Sequence, residues 1–138
     1  DEDFGVKLTV ALAPEVKLVT SSELSSEVQF DLVWVDAPCS ATGIIRRHPD
    51  VKWIHDESEL PDLISKQEEL VKKGWSKVKE GGFLVYSVCS VLDEEGTEVI
   101  EKNILSESGA DLVKRISLAP HEAPYGDGFW AAVISKNK

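Results

Sequence analysis

The sequence predicts an α/β fold built on parallel strands, and three features predict it. Phe30, Leu32, Val33, Trp34 and Val35 form a short β-branched and aromatic run, long enough for a strand and too short for a helix. A second apolar run, Gly81-Gly82-Phe-Leu-Val-Tyr-Ser-Val-Cys-Ser-Val-Leu92, lies downstream. Helically spaced apolar residues lie between the two, so the unit reads strand, helix, strand. If the strands are parallel neighbours, their crossover brings Cys39 and Cys89 to the same sheet edge, and these are the only cysteines in the chain. Ligands of open α/β sheets bind at that edge.

Taken in order, Val6 to Leu12 alternates apolar and polar residues and reads as a strand that Pro14 breaks. Val16 to Thr20 reads as a second short strand, and Ser21 to Glu27 as a polar loop or a frayed turn. The Phe30 run is nearly continuous in apolar residues, which suits a strand covered on both faces. Asp36 ends it, and Pro38 prevents the ladder from continuing. Gly43 to Asp56 is a loop with embedded apolar residues, in which Trp53 is expected to pack rather than to stand free for base stacking.

The helix begins near Pro61, a favourable first-turn residue. Leu63, Ile64, Leu70, Val71, Trp75 and Val78 mark its apolar face. Gln67 interrupts that face, either to hydrogen-bond beneath a site or in a plain structural role. Lys72, Lys73, Lys77 and Lys79 crowd the end where cations suit the helix dipole, and Gly81-Gly82 is expected to stop it. Asp93-Glu94-Glu95 reads as the acidic first turn of a further helix with Val99, Ile100 and Ile104 on its apolar face. Residues 111–118 and 129–135 read as two last strands, joined by a loop carrying Pro120, Pro124, Gly126 and Gly128.

At 138 residues with 42% apolar content, the chain is one domain's worth and can bury a core. No apolar run approaches the roughly 20 residues needed to span a bilayer. Asp1-Glu2-Asp3 is the opposite of a basic signal-peptide start. Two cysteines do not make a disulfide scaffold, so a reducing, cytoplasmic setting is expected. His48 and His55 have no partners at metal-ligand spacing, and no metal site is expected. The net charge of −10 is unfavourable for phosphate contacts, yet Arg46, Arg47, His48 and Lys52 gather just after the Asp36 loop. The absence of methionine and the Asp at position 1 point to a trimmed, engineered or partial chain.

Asp36-Ala-Pro-Cys-Ser-Ala-Thr-Gly-Ile-Ile-Arg-Arg-His-Pro-Asp-Val-Lys-Trp53, followed by Tyr86-Ser-Val-Cys-Ser-Val-Leu92, resembles the Nol/Nop/Sun family of RNA cytosine-5 methyltransferases. The likeness is nearest to its bacterial small-subunit ribosomal RNA branch. It runs over about residues 30 to 138 and includes Gly126-Asp-Gly-Phe-Trp130, whereas residues 1–29 match poorly. The resemblance implies a Rossmann-like, S-adenosylmethionine-dependent fold in which the last two strands form an antiparallel edge pair. It implies RNA, in particular ribosomal RNA, as partner.

Cytosine C5 is a poor nucleophile until a thiolate adds at C6. The cysteine must therefore meet the ring face with its pKa lowered or a base nearby, a carboxyl group must meet the N3 edge, and the base must be unpaired. By resemblance Cys89 is the nucleophile, and Cys39 is the cysteine tied to adduct breakdown. Asp36 is the acid beside both donor and cytosine, and Pro38 shapes the loop. Arg46 and Arg47 are candidates for RNA contact. The family usually has Thr before the nucleophile, where this chain has Val88. Read without the resemblance, a buried cysteine is usually a small hydrophobe, two cysteines ending adjacent strands could also form a disulfide, and catalysis is the minority reading.

Only Gly5 precedes Asp36 among the glycines, so no Gly-rich donor loop is found upstream. The expectation is a C-terminal portion of a catalytic domain, residues 1–138, without its donor-binding half. The alternative is a non-catalytic fragment or pseudoenzyme that keeps the fold for binding RNA or protein. An amino-group methyltransferase ranks below both, because Ala37-Pro38-Cys39 lacks that class's second proline and aromatic.

Overall fold

In the computed structural model, residues 27–54, 56–121 and 126–138 are described. The strands expected at residues 6–12 and 16–20 lie outside them. The described chain forms β1 (Phe30–Asp36), α1 (Val51–Ile54), α2 (Leu60–Ser76), β2 (Val78–Val88), α3 (Thr97–Ile100), β3 (Ala110–Leu118) and β4 (Phe129–Lys136). Four strands make one sheet in the order β1-β2-β4-β3. β1 and β2 are parallel, while β4 runs antiparallel to both β2 and β3. This is the parallel pair with an antiparallel edge pair that the sequence implied, on a Rossmann-like plan.

The core forms where α2 and the α3 segment lie on one face of the sheet. Val71 of α2 meets Leu84, Tyr86 and Val88 of β2, together with Val99, Ile100 and Ile104 from the α3 segment. Close approach of helix to sheet depends on Gly74. A Cβ there would stand 2.7 Å from a methyl group of Val35. Tyr86 and Trp130 meet edge to face at 6.0 Å, closing the core beside β4. The α3 segment widens from Glu101 to Leu105 into a π-turn, with Asn103 and Ile104 buried.

Three expectations change. β1 is covered on one face only: Val33 and Val35 pack on α2, while Trp34 is 59% exposed and Leu32 is exposed beside its pairing partner Phe83. Apolar residues on both sides of a strand state what it tolerates, and its packed neighbours decide what is covered. Gly81-Gly82 does not stop α2. The helix ends at Ser76, Val78 already belongs to β2, and both glycines lie inside that strand. There the pairing slips between Phe30↔Val78 and Leu32↔Phe83. Gly81 takes a left-handed φ of 81°, and Gly82 passes so near β1 that a Cβ would stand 2.7 Å from the Asp31 carbonyl oxygen. Third, Trp53 does not pack: it is 81% exposed, whereas Val51, two residues before it, is buried.

The bulge therefore separates two kinds of cost. Gly81→Ala carries only backbone strain, about 1–2 kcal/mol, because open space surrounds a Cβ there. Gly82→Ala adds a backbone collision and lowers the urea midpoint further than Gly81→Ala. Paired urea titrations check the order, and equal midpoints would contradict it.

Candidate active site

β1 and β2 pair continuously from Leu32↔Phe83 to Asp36↔Ser87, so their C-terminal ends stop level. The Ala37 N–H donates to the Ser87 carbonyl at 3.0 Å and carries the pairing one residue further. The two loops then diverge with Cys39 and Cys89 facing each other, their Sγ atoms 3.4 Å apart. Both are free thiols and half-buried. The structure thus joins two cysteines fifty positions apart in the chain.

Asp36 sits exposed at the end of β1. The Trp34 indole N–H donates to Ser87 Oγ at 2.9 Å, and Ser87 Oγ donates to Asp36 Oδ1 at 3.2 Å. This short relay fixes the carboxylate's direction while leaving acceptor capacity toward solvent.

Beneath the cysteines lies Glu95, 0% exposed. Each cysteine is followed by a serine, and both serines turn toward this carboxylate. The Ser40 N–H donates to Oε1 at 2.8 Å, and Ser40 Oγ donates to Oε2 at 2.6 Å. Ser90 Oγ donates to Oε2 as well. Gln67 Nε2 of α2 donates to Oε1 at 3.0 Å and to the Pro38 carbonyl at 2.8 Å. The Tyr86 hydroxyl donates to the Glu95 carbonyl at 2.8 Å. Burial and the Glu95 charge push the Tyr86 hydroxyl up, so it stays a donor. Cys39 also packs against the edge of the hydrophobic core, and both thiols stay half-buried.

A second set of contacts closes the loops. Ala41 adopts φ 57°, ψ 26°, a left-handed conformation uncommon for alanine, and turns the chain into a short 3-10 segment at Thr42–Ile44. Thr42 Oγ1 accepts from the Val91 N–H at 3.1 Å, and the Gly43 N–H donates to the Cys89 carbonyl at 3.0 Å. The Gly128 N–H donates to the Gly43 carbonyl at 2.7 Å. A Cβ on Gly43 would stand 2.1 Å from the Gly128 carbonyl oxygen, so this crossing needs glycine. Arg47 pairs with Asp127, Nη2 to Oδ2 at 2.7 Å, and ties the basic stretch to the same tail. Arg46 is exposed.

The sulfur contact splits the two thiols. Cys89 is lowered to about 7, chiefly by its hydrogen bond with Cys39; its own backbone N–H adds to this, while burial and the Asp36 and Glu95 charges oppose it. Cys39 is pushed up, first by that same bond and then by burial. Charge is thus favoured on Cys89 over Cys39, the two thiols titrating as a pair.

A cleft of about 370 Å³ lined by Asp93, Thr97, Glu98, Arg115, Ser117 and Trp130 contains neither cysteine. Chemistry, not concavity, places the site. Sequence reasoning brought forward Cys39, Cys89 and Asp36, and it noticed Gln67. It missed Glu95, taken for the acidic turn of a helix that begins only at Thr97. The legible signal was the Cys-Ser pair repeated at the ends of both strands.

A model of the family described as 16S rRNA methyltransferase RsmB/F matches residues 4–137. The chain belongs to this family. The match takes in residues 4–29, where the residues alone offered no motif. Ribosomal RNA small subunit methyltransferase B of Yersinia enterocolitica is 41% identical over 124 residues, covering 85% of this chain and 29% of the relative. The Escherichia coli protein of the same name is 41% identical over 123 residues, covering 83% and 28%. The chain thus spans less than a third of the length of these relatives. Among solved structures, a methyltransferase homolog protein from Pyrococcus horikoshii superposes with a TM-score of 0.66 at 27% identity, covering 79% of this chain and 40% of that one. NSun6 from the same organism gives a TM-score of 0.69 at 23% identity, covering 80% and 31%, a likeness of fold. The family read from Asp36–Trp53 and Tyr86–Leu92 is borne out at the level of methyltransferase membership.

Two outcomes follow from the geometry. Iodoacetamide alkylation of Cys89, followed peptide by peptide in mass spectra, rises with a midpoint near pH 7. Cys39→Ala removes the donor and moves that midpoint upward; an unmoved midpoint would show that the sulfur contact does not set it. Glu95→Ala strips an acceptor from buried donors and lowers stability by about 3 kcal/mol or more, measured by urea unfolding, with Glu95→Gln milder.

Proposed function

We propose that this chain carries the reactive cysteine pair of an S-adenosylmethionine-dependent RNA cytosine-5 methyltransferase acting on ribosomal RNA. The observation that carries this reading is the paired thiols at 3.4 Å, one of them lowered towards the thiolate, beside an exposed carboxylate at the C-terminal ends of a parallel strand pair. We read residues 1–138 as the C-terminal portion of a catalytic domain, supported by the match to under a third of each relative. Two free thiols suit a cytoplasmic setting. No helix among the described residues is long and apolar enough to cross a membrane.

Asp36 fits the donor's acid: a carboxylate fixed by Ser87, accessible, at the end of β1. S-adenosylmethionine, when bound, supplies an electrophilic methyl group. In this reading an unpaired cytosine enters over the sulfur pair, with Pro38 shaping the loop and Arg46 and Arg47 meeting phosphates. The Cys89 thiolate adds to C6, and the C5–C6 electron pair moves to C5. Asp36 accepts from the 4-amino group and relays a proton from water to N3, where the negative charge arrives, and takes it back when the ring is restored. C5 takes the methyl group. Loss of the C5 proton to water rebuilds the double bond and expels Cys89 as thiolate. Cys39, which already donates to that sulfur, stabilises it as it leaves.

The test is covalent trapping. With S-adenosylmethionine and a 5-fluorocytidine RNA, the C5 substituent cannot leave as a proton, so the protein migrates as an RNA adduct in denaturing gels. Cys89→Ala gives no adduct. Cys39→Ala accumulates adduct even on ordinary cytidine RNA, because release is slowed. If no adduct forms in the wild-type protein while the donor binds, the catalytic reading falls and a binding role takes its place.

A further inference from the structure

We propose that Trp53 is a stacking platform for an unpaired RNA base flanking the target, with Lys52 and Arg46 as its phosphate contacts; this deepens the proposed function and rests on it.

The argument starts from an unfavourable exposure. Trp53 is 81% exposed, although tryptophan is among the residues that gain most from burial. The chain could have buried it, since α1 does bury Val51 two residues before it. Val51 N–H donates to the His48 carbonyl at 3.0 Å, and Trp53 N–H to the Asp50 carbonyl at 2.8 Å. The indole therefore stands on a hydrogen-bonded turn with an apolar anchor, so little ordering entropy remains to be lost on binding.

Its surroundings name the partner. Over the whole chain the net charge is −10, yet residues 46–53 carry Arg46, Arg47 and Lys52 against the single acid Asp50. Lys52 Nζ lies 5.4 Å from the Trp53 ring centroid, which places a cation at the ring. An aromatic face flanked by cations on an otherwise acidic surface complements a base with its phosphates. It would repel no part of a single strand, whereas the surrounding carboxylates disfavour RNA elsewhere.

The platform is also fixed relative to the thiols. The chain leads from Cys39 through the Ala41 turn and the 3-10 segment, and Gly43 is bonded to the Cys89 carbonyl. Arg47 is held by Asp127. A nucleotide stacked on Trp53 therefore sits on the same hydrogen-bonded loop that presents Cys39.

Equilibrium binding of a fluorescein-labelled, unpaired oligoribonucleotide, repeated across salt concentrations, tests this. Trp53→Ala is expected to weaken binding about tenfold while leaving the salt slope unchanged, because stacking releases no counterions. Trp53→Phe retains most of the affinity. Arg46→Ala instead lowers the slope by about 0.7. Being exposed, Trp53 can be replaced without disturbing the core, and an unchanged Cys89 alkylation profile verifies that. If Trp53→Ala binds like wild type, or if its loss appears as a changed slope, the platform is overturned. Should that happen while the 5-fluorocytidine adduct still forms through Cys89, the proposed function stands without it. If the wild-type protein neither binds RNA nor forms the adduct, the function and the platform fall together.

Discussion

A buried carboxylate holds the two cysteine loops against each other. Taking an ionisable group out of water costs several kcal/mol unless its oxygens are met. Glu95 is met by Ser40 twice, by Ser90 and by Gln67, which come from the β1 loop, the β2 loop and α2. Any one of these segments could move a little only by leaving a buried polar group without its partner. The site geometry is thus held by a penalty on deviation more than by attraction between the sulfurs, whose contact is a weak hydrogen bond.

That anchoring lets the rest of the edge stay open. Asp36 remains exposed and both thiols half-exposed, while the serines beside them are buried on Glu95. The parallel register of β1 with β2 sets the level at which the loops begin, and the crossing of Gly43 with Gly128 sets how close they come. Within this frame two chemically identical side chains acquire different tasks. The hydrogen bond between the sulfurs favours charge on Cys89, and that same bond and burial hold Cys39 protonated.

An acidic chain in a family of ribosomal RNA methyltransferases is less of a contradiction than its net charge suggests. Electrostatic attraction falls off over about 10 Å in ordinary salt, so a local cluster of cations governs what approaches a local surface. The basic residues between Cys39 and Trp53 provide that cluster on the loop of the site.

Much of this was legible in the chain. β-branched and aromatic runs marked β1 and β2, Pro61 marked the start of α2, and residues 111–118 and 129–135 read as the last two strands, because such patterns are set by local geometry. The cysteines, Asp36 and the family were legible too, since a motif is a sequence property. The end of α2 was not, for Gly81-Gly82 is as suited to a bulge within a strand as to a helix stop. Nor was the exposure of Trp53 or the one-sided cover of β1, because burial depends on which neighbours arrive. Glu95 is the clearest case. In sequence it is one acid in a run of three; in the fold it is the acceptor that two distant serines and a helix glutamine share. Sequence alone determined which groups are present and how each short segment folds. Only the tertiary structure decided which sulfur carries the charge and what holds it in place, because hydrogen bonds and desolvation act between groups that the chain keeps far apart.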